Sequence, residues 1–431
     1  MENTIAQGRA TSTARFITAL KALGPGILMA TAAIGGSHLV ASTQAGARFG
    51  WQLAILIIAA NAFKYPFFRA GIAYTMATDE SLLKGYLRMG KGYLYLSWVI
   101  NFFSSMVNTA ALIMFAASLL GYFLPVKLSL IVLSGIVLVM SLAIVVAGQF
   151  SLLNKVSKFI MLALSVATVG ALIIAIINGP VAPAGYHSPS PWQLATIGFL
   201  VITMGWMPMP IEMSCISSLW LVKQRRTQVV TRASALFDFN LGYVSTAILA
   251  LVFLSLGALV LRGSGTDFAN GGVGFTHQLV SIYAQTIGSW SRYLIAMIAF
   301  FCIFGSVITV MDGYARMLNE SIRLVVDKDT DDERSSQRYE RYSSYWVIFI
   351  GLSGYAIVLF FHSALLVMLG FAMTLAFMTT PMFAWLNHRL LNSDKVPQQL
   401  RPSFAGQLIN YAGLIYLFAF LLLFIWWKWL M

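Results

Sequence analysis

The chain has 431 residues, of which 59% are hydrophobic and only 10% charged, with a mean hydropathy of +0.79. Soluble domains carry about 25% charged residues, so this composition excludes an ordinary soluble enzyme, a disordered chain and a disulfide scaffold. The net charge of +13 would point to nucleic acid in a soluble protein; in so apolar a chain it reports membrane orientation, and no nucleic-acid partner is expected.

Residues 1–23 are polar, lack a signal-peptide core, and read as a cytoplasmic tail. Eleven apolar runs follow, roughly at 24–47, 51–76, 93–123, 128–148, 150–178, 192–222, 234–261, 291–316, 344–361, 364–387 and 406–428. Backbone polar groups in lipid must be bonded within their own segment. The expectation is therefore an all-α polytopic membrane protein with eleven transmembrane helices. Phe361, His362 and Ser363 read as a tight hairpin between the ninth and tenth runs. The stretch Val325 to Ser344 mixes acids and bases and reads as a solvated inner loop. The stretches Gly179 to Pro191 and Arg262 to His277 read as outer loops that cover the mouth or merely connect.

With the N-terminus inside and strict alternation, only Arg48, Lys127, Arg262, Arg292 and Lys428 of the 28 lysines and arginines fall outside. The inner set includes Lys64 and Arg69. This asymmetry supports an inside N-terminus and an outside C-terminus, and the lack of a transit peptide favours a bacterial cytoplasmic (inner) membrane. Cys215 and Cys302 both lie in apolar runs and imply no disulfide framework.

Polar groups inside the runs are costly and therefore informative. The acids there are Glu212, Asp238 and Asp312, and the one mid-run histidine is His38. His38 and Glu212 sit beside the two strongest helix breakers. Run 1 reads Gly35-Gly36-Ser37-His38, and adjacent glycines each weaken a helix by about 1 kcal/mol. Run 6 reads Met207-Pro208-Met209-Pro210-Ile211-Glu212, and each proline removes a backbone donor. Both helices are expected to unwind near the middle of the membrane. Breaks in runs 1 and 6 are five helices apart, as expected for a 5+5 inverted repeat with its solute site between the broken helices. That divides the chain into 24–178, 192–387 and an added helix at 406–428. The bland alternative is that the glycines only pack closely and the prolines only kink.

At these residues the sequence resembles the Nramp family of proton-coupled divalent-metal transporters. Gly24-Pro25-Gly26-Ile27-Leu28 and Gln44-Ala45-Gly46-Ala47-Arg48-Phe49-Gly50 look like that family's first helix, and Met209-Pro210 looks like its sixth. The resemblance implies a LeuT-like fold and a membrane secondary transporter, not an enzyme. Where the family has Asp-Pro-Gly-Asn, this chain holds Gly35, Gly36, Ser37 and His38; where the family has Met-Pro-His, it holds Met209, Pro210 and Ile211.

Two solutes fit the expected cavity. A divalent cation of the Mn, Fe or Mg type would take Met209, Glu212 and His38 as metal ligands, with Cys215 and carbonyls freed at Gly35 and Met207 in support. Met209 and Cys215 also read as packing. A small anion or zwitterion, such as a carboxylate or amino acid, would be held by the unwound backbone at Gly35, Gly36 and Ser37, with Trp206 closing over it. His38, Glu212 and Asp238 are the proton-coupling candidates. No resident cofactor is expected, and the sequence leaves the oligomeric state open.

Overall fold

The computed structural model describes residues 24–147, 150–265, 268–269, 272–327, 333–398 and 401–431. The 1–23 tail and the centre of the 325–344 loop lie outside the described residues. Within them all regular structure is helical.

The first run splits into α1 (Pro25–Ala33), a π-helical turn (Ser37–Ser42) and α2 (Thr43–Phe49). Pro25 opens α1, where a missing N–H costs nothing. A sharp turn at Gly50, whose φ of 61° suits glycine, leads into α3 (Ala54–Thr78). The short α4 (Leu82–Met89), which hydropathy did not foresee, precedes α5 (Lys91–Leu120), α6 (Leu130–Val146) and α7 (Phe150–Asn178).

The sixth run also splits, into α8 (Ile197–Gly205) and α9 (Met213–Thr227). Next come α10 (Arg232–Leu256), α11 (Gly272–Ile287), α12 (Ser291–Val326), α13 (Glu333–Phe361), α14 (Leu365–Leu391) and α15 (Phe404–Ile425). A three-residue turn separates α13 from α14, as the hairpin reading expected.

By length and composition, seven helices among the described residues can cross a membrane, and three shorter apolar ones accompany them. The broken runs are divided among these: Ser37–Thr78 joins the second half of the first run to α3, and the first half of the sixth is one of the shorter helices. The chain is an integral membrane protein. The outer-loop reading needs one correction: α11 takes up the end of the Arg262 to His277 stretch. Arg262 ties the two segments together, donating to the Ser188 hydroxyl at 2.7 Å and the Tyr186 carbonyl at 2.8 Å.

Close backbone approach sets the broken halves in place. A Cβ on Gly205 would meet the Met373 carbonyl oxygen at 1.9 Å, so α8 lies hard against α14. α1 presses on α10 in the same way through Gly26, where a Cβ would meet the Asp238 carbonyl oxygen at 2.3 Å.

Candidate solute site between two broken helices

Each break leaves backbone groups without helical partners, and side chains from other helices take most of them up. Residues 34–36 interrupt the first run. The Thr31 carbonyl accepts from Ser306 at 3.1 Å, and the Ile34 carbonyl accepts from Cys302 Sγ at 3.2 Å, both from α12. The Gly35 carbonyl accepts the backbone N–H groups of His38 and Leu39. In the sixth run Pro208 and Pro210 stop the helix, and it resumes with Met213 N–H donating to the Pro210 carbonyl at 3.1 Å. The Met204 and Gly205 carbonyls at the end of α8 accept from Lys64 Nζ, at 2.6 and 3.1 Å.

Lys64 corrects the orientation count. It does not belong to an inner loop but lies inside α3, with no exposed surface. No carboxylate lies within ion-pair distance of it among the described residues; its ammonium meets the negative end of a half-helix instead.

The two breaks meet. Gly35 and Gly36 from the first and Trp206, Pro208, Met209 and Pro210 from the sixth line one cavity of about 30 Å³. Asn108 and Leu112 of α5, Val310 and Tyr314 of α12, Met213, and Ala32 and Ala33 complete the wall. A buried water needs about 10–15 Å³, so there is room for one or two. The wall carries no ionisable carboxylate, amine or imidazole.

A hydrogen-bonded chain crosses this wall. Trp206 Nε1 donates to Asn108 Oδ1 at 3.1 Å, Asn108 Nδ2 donates to Tyr314 OH at 2.8 Å, and Tyr314 OH donates to Glu212 Oε1 at 3.3 Å. Glu212 is fully buried behind the wall, and its Oε2 has no partner among the described residues. Below Asn108, α5 presents a buried polar stripe of Ser97, Asn101, Ser104 and Ser105, spaced to share one helix face. Asn101 Oδ1 and Ser104 Oγ on it are also unpartnered.

The structure separates the residues singled out from the sequence. Gly35, Gly36 and Met209 line the cavity. Ser37 and His38 do not: the Ser37 hydroxyl meets His38 Nδ1 at 2.8 Å, and His38 Nε2 meets the Thr246 carbonyl at 2.9 Å. Both imidazole nitrogens are thus engaged away from the cavity, contrary to the metal-ligand reading of His38. Met207 is buried outside the lining. Cys215 Sγ faces Tyr86 OH at 3.5 Å, in a second network where Tyr86 donates to Asn387 and Asn387 to Ser214. Asp238 caps α1, accepting from Gly26 N–H at 2.7 Å and Ile27 N–H at 3.3 Å. Among the described residues, no three His, Cys, Asp or Glu side chains gather as a metal-binding group.

Sequence reasoning missed Lys64, Asn108 and Tyr314. Lys64 had a signal, a cation in the middle of an apolar run that holds one other, Arg69. Asn108 was one of two amides, with Asn101, in a run free of charge. Tyr314 had none.

No family model matches the chain. It is 49% identical over 409 residues to an uncharacterized protein, PM0681, of Pasteurella multocida (strain Pm70), covering 94% of this chain and 92% of that one. The chain belongs to the family of that Pasteurella protein.

This member of the PM0681 family also superposes on solved structures. Two variants of the Eremococcus coleocola manganese transporter match with TM-scores of 0.65 and 0.66, each 13% identical. The matches cover 95% and 98% of this chain, and 87% and 89% of those. The nucleobase-cation-symport-1 family transporter Mhp1, closed with bromovinylhydantoin bound, matches with a TM-score of 0.61 at 13% identity, covering 94% of this chain and 92% of that one. At such identities the likeness shows fold: the PM0681 relative described here has the LeuT-type fold.

Proposed function

We propose that the chain is a secondary transporter that moves a small solute through the cavity between its broken helices. One observation carries this reading: residues from both breaks, far apart in sequence, wall the same buried space. Unwound backbone at membrane depth is tolerated where it is buried or lines a cavity, and paired discontinuous helices are where transporters of this architecture bind solute. Eleven crossings in two inverted repeats, 24–178 and 192–387, with 406–428 added, complete the proposal. The N-terminus is inside and the C-terminus outside a bacterial cytoplasmic membrane.

The wall favours a small uncharged or zwitterionic organic solute. It offers the Trp206 ring, the Asn108 amide, the Tyr314 hydroxyl and thioethers, but no charge to neutralise a bare cation. The Gly35 carbonyl is already spent on backbone bonds. Because the space holds only one or two waters, the wall must part to admit such a solute. Trp206 is the mobile candidate, held at its indole nitrogen by the Asn108 bond.

A second reading, a divalent cation, rests on Met209 in the wall and on the unpartnered Glu212 Oε2 behind it. Glu212 is also the proton-coupling group in either case. Calorimetric titration of purified protein with Mn²⁺, Mg²⁺, amino acids and small carboxylates separates the two, followed by flux of the binder into proteoliposomes. The organic reading expects a zwitterionic amino acid to bind without metal, in preference to a simple carboxylate. Binding of Mn²⁺ that disappears in Glu212→Gln would transfer the assignment to metal, and binding without flux would remove the transporter reading altogether.

A further inference from the structure

A second cavity, of about 340 Å³, opens at the end of the bundle where α3 finishes and α10 and α15 begin. Three arginines from three segments line it: Arg69 of α3, Arg232 at the first position of α10, and Arg401 just ahead of α15. Arg69 and Arg232 make no hydrogen bond or ion pair among the described residues. Arg401 donates to the Val396 carbonyl and reaches Asp394 at 3.5 Å, but Asp394 is fully exposed and does not line the cavity. No acid is in the lining.

Helix geometry adds to the positive field. Arg232 stands at the N-terminus of α10, where the helix dipole is already positive, and Ser403 caps the N-terminus of α15 beside it. Like charges placed together on three separate segments repel one another, and among the described residues only the exposed Asp394, 3.5 Å from Arg401, offsets any of them.

The surroundings identify the missing partner. Ile409 lines the cavity and is half exposed, and its neighbours Phe404 and Leu408 on α15 are exposed as well. The mouth therefore borders an apolar outward face, not open water alone. We infer that this cavity binds the phosphate headgroup of an anionic phospholipid, with Arg69, Arg232 and Arg401 on the phosphodiester and the acyl chains along α15. Arginine forks suit phosphate oxygens, and basic pockets between helices at the membrane edge hold such headgroups.

The test uses the full chain purified in detergent and titrated with phosphatidylglycerol, phosphatidylcholine or inorganic phosphate, followed by native mass spectrometry and thermal unfolding. Phosphatidylglycerol is expected to stay bound and raise the melting temperature, and phosphatidylcholine to do neither. Arg69→Gln with Arg232→Gln should weaken phosphatidylglycerol about 30-fold. Lys127→Gln, an exposed site in the connection between α5 and α6, should leave it unchanged. If the double variant does not fold, Arg401→Gln alone should weaken it about five-fold. Equal retention of phosphatidylcholine, undiminished phosphatidylglycerol in these variants, or displacement of the lipid by equimolar inorganic phosphate would overturn the assignment.

Discussion

Lys64 holds the broken end of α8 by its ammonium, 2.6 Å from the Met204 carbonyl oxygen. The two residues are 140 positions apart, and the contact joins the second membrane run to the interrupted sixth. Lys64→Met should leave the Gly205 carbonyl without a donor and the Met204 carbonyl with only the Met207 N–H, and cost about 1–3 kcal/mol. Thermal unfolding in detergent measures it. A melting temperature equal to that of the parent would show that the cap is dispensable.

Gly36 and Gly35 are adjacent but differ in what they face. A Cβ on Gly36 would lie 2.8 Å from Trp206 Cζ3, whereas on Gly35 its nearest neighbours are at an ordinary 3.7 Å. Gly36→Ala should therefore push the Trp206 ring and cut uptake of the solute found by calorimetry at least about ten-fold, a cost of about 1.4 kcal/mol. Gly35→Ala should stay within about three-fold. Equal effects at both positions would show that Trp206 does not shape the site.

Tyr314 serves two masters, accepting a hydrogen bond from the Asn108 amide and donating one to Glu212. Tyr314→Phe strips the Glu212 carboxylate of its hydrogen bond, for about 1–3 kcal/mol. Combining it with Glu212→Gln should recover part of that loss, a coupling that a double-mutant cycle reads directly. Strict additivity of the two changes would show that Tyr314 and Glu212 are not coupled through this hydrogen bond.

Asp238 is a cap before it is anything else. Asp238→Ala should cost about 1–2 kcal/mol by exposing the first turn of α1, and Asp238→Asn, which keeps an acceptor, should cost less. Neither should change which solute is taken up. Loss of acid-driven uptake in Asp238→Asn at unchanged melting temperature would restore it to the proton path.

Much of this site was legible before any coordinates. Gly35-Gly36 and Pro208-x-Pro210 weaken a helix through a few consecutive backbone units, so the two places where it could break were visible locally. The direction of each polar side chain was not legible. His38 was a candidate ligand or hydrogen-bonded group by sequence, and in the structure its ring bridges Ser37 and Thr246. Asp238 was read as a proton carrier and instead binds the N-terminus of α1.

The sequence by itself determined that this is a membrane protein with two interrupted helices, since apolar run length and helix breaking are local properties. Only the tertiary structure decided that the interruptions share one cavity, that Asn108 and Tyr314 complete its wall, and that Lys64 is internal. Those facts depend on how each helix is rotated and crossed against its neighbours. That rotation is set by contacts such as Gly205 on Met373 and Gly26 on Asp238, between residues that no local pattern connects.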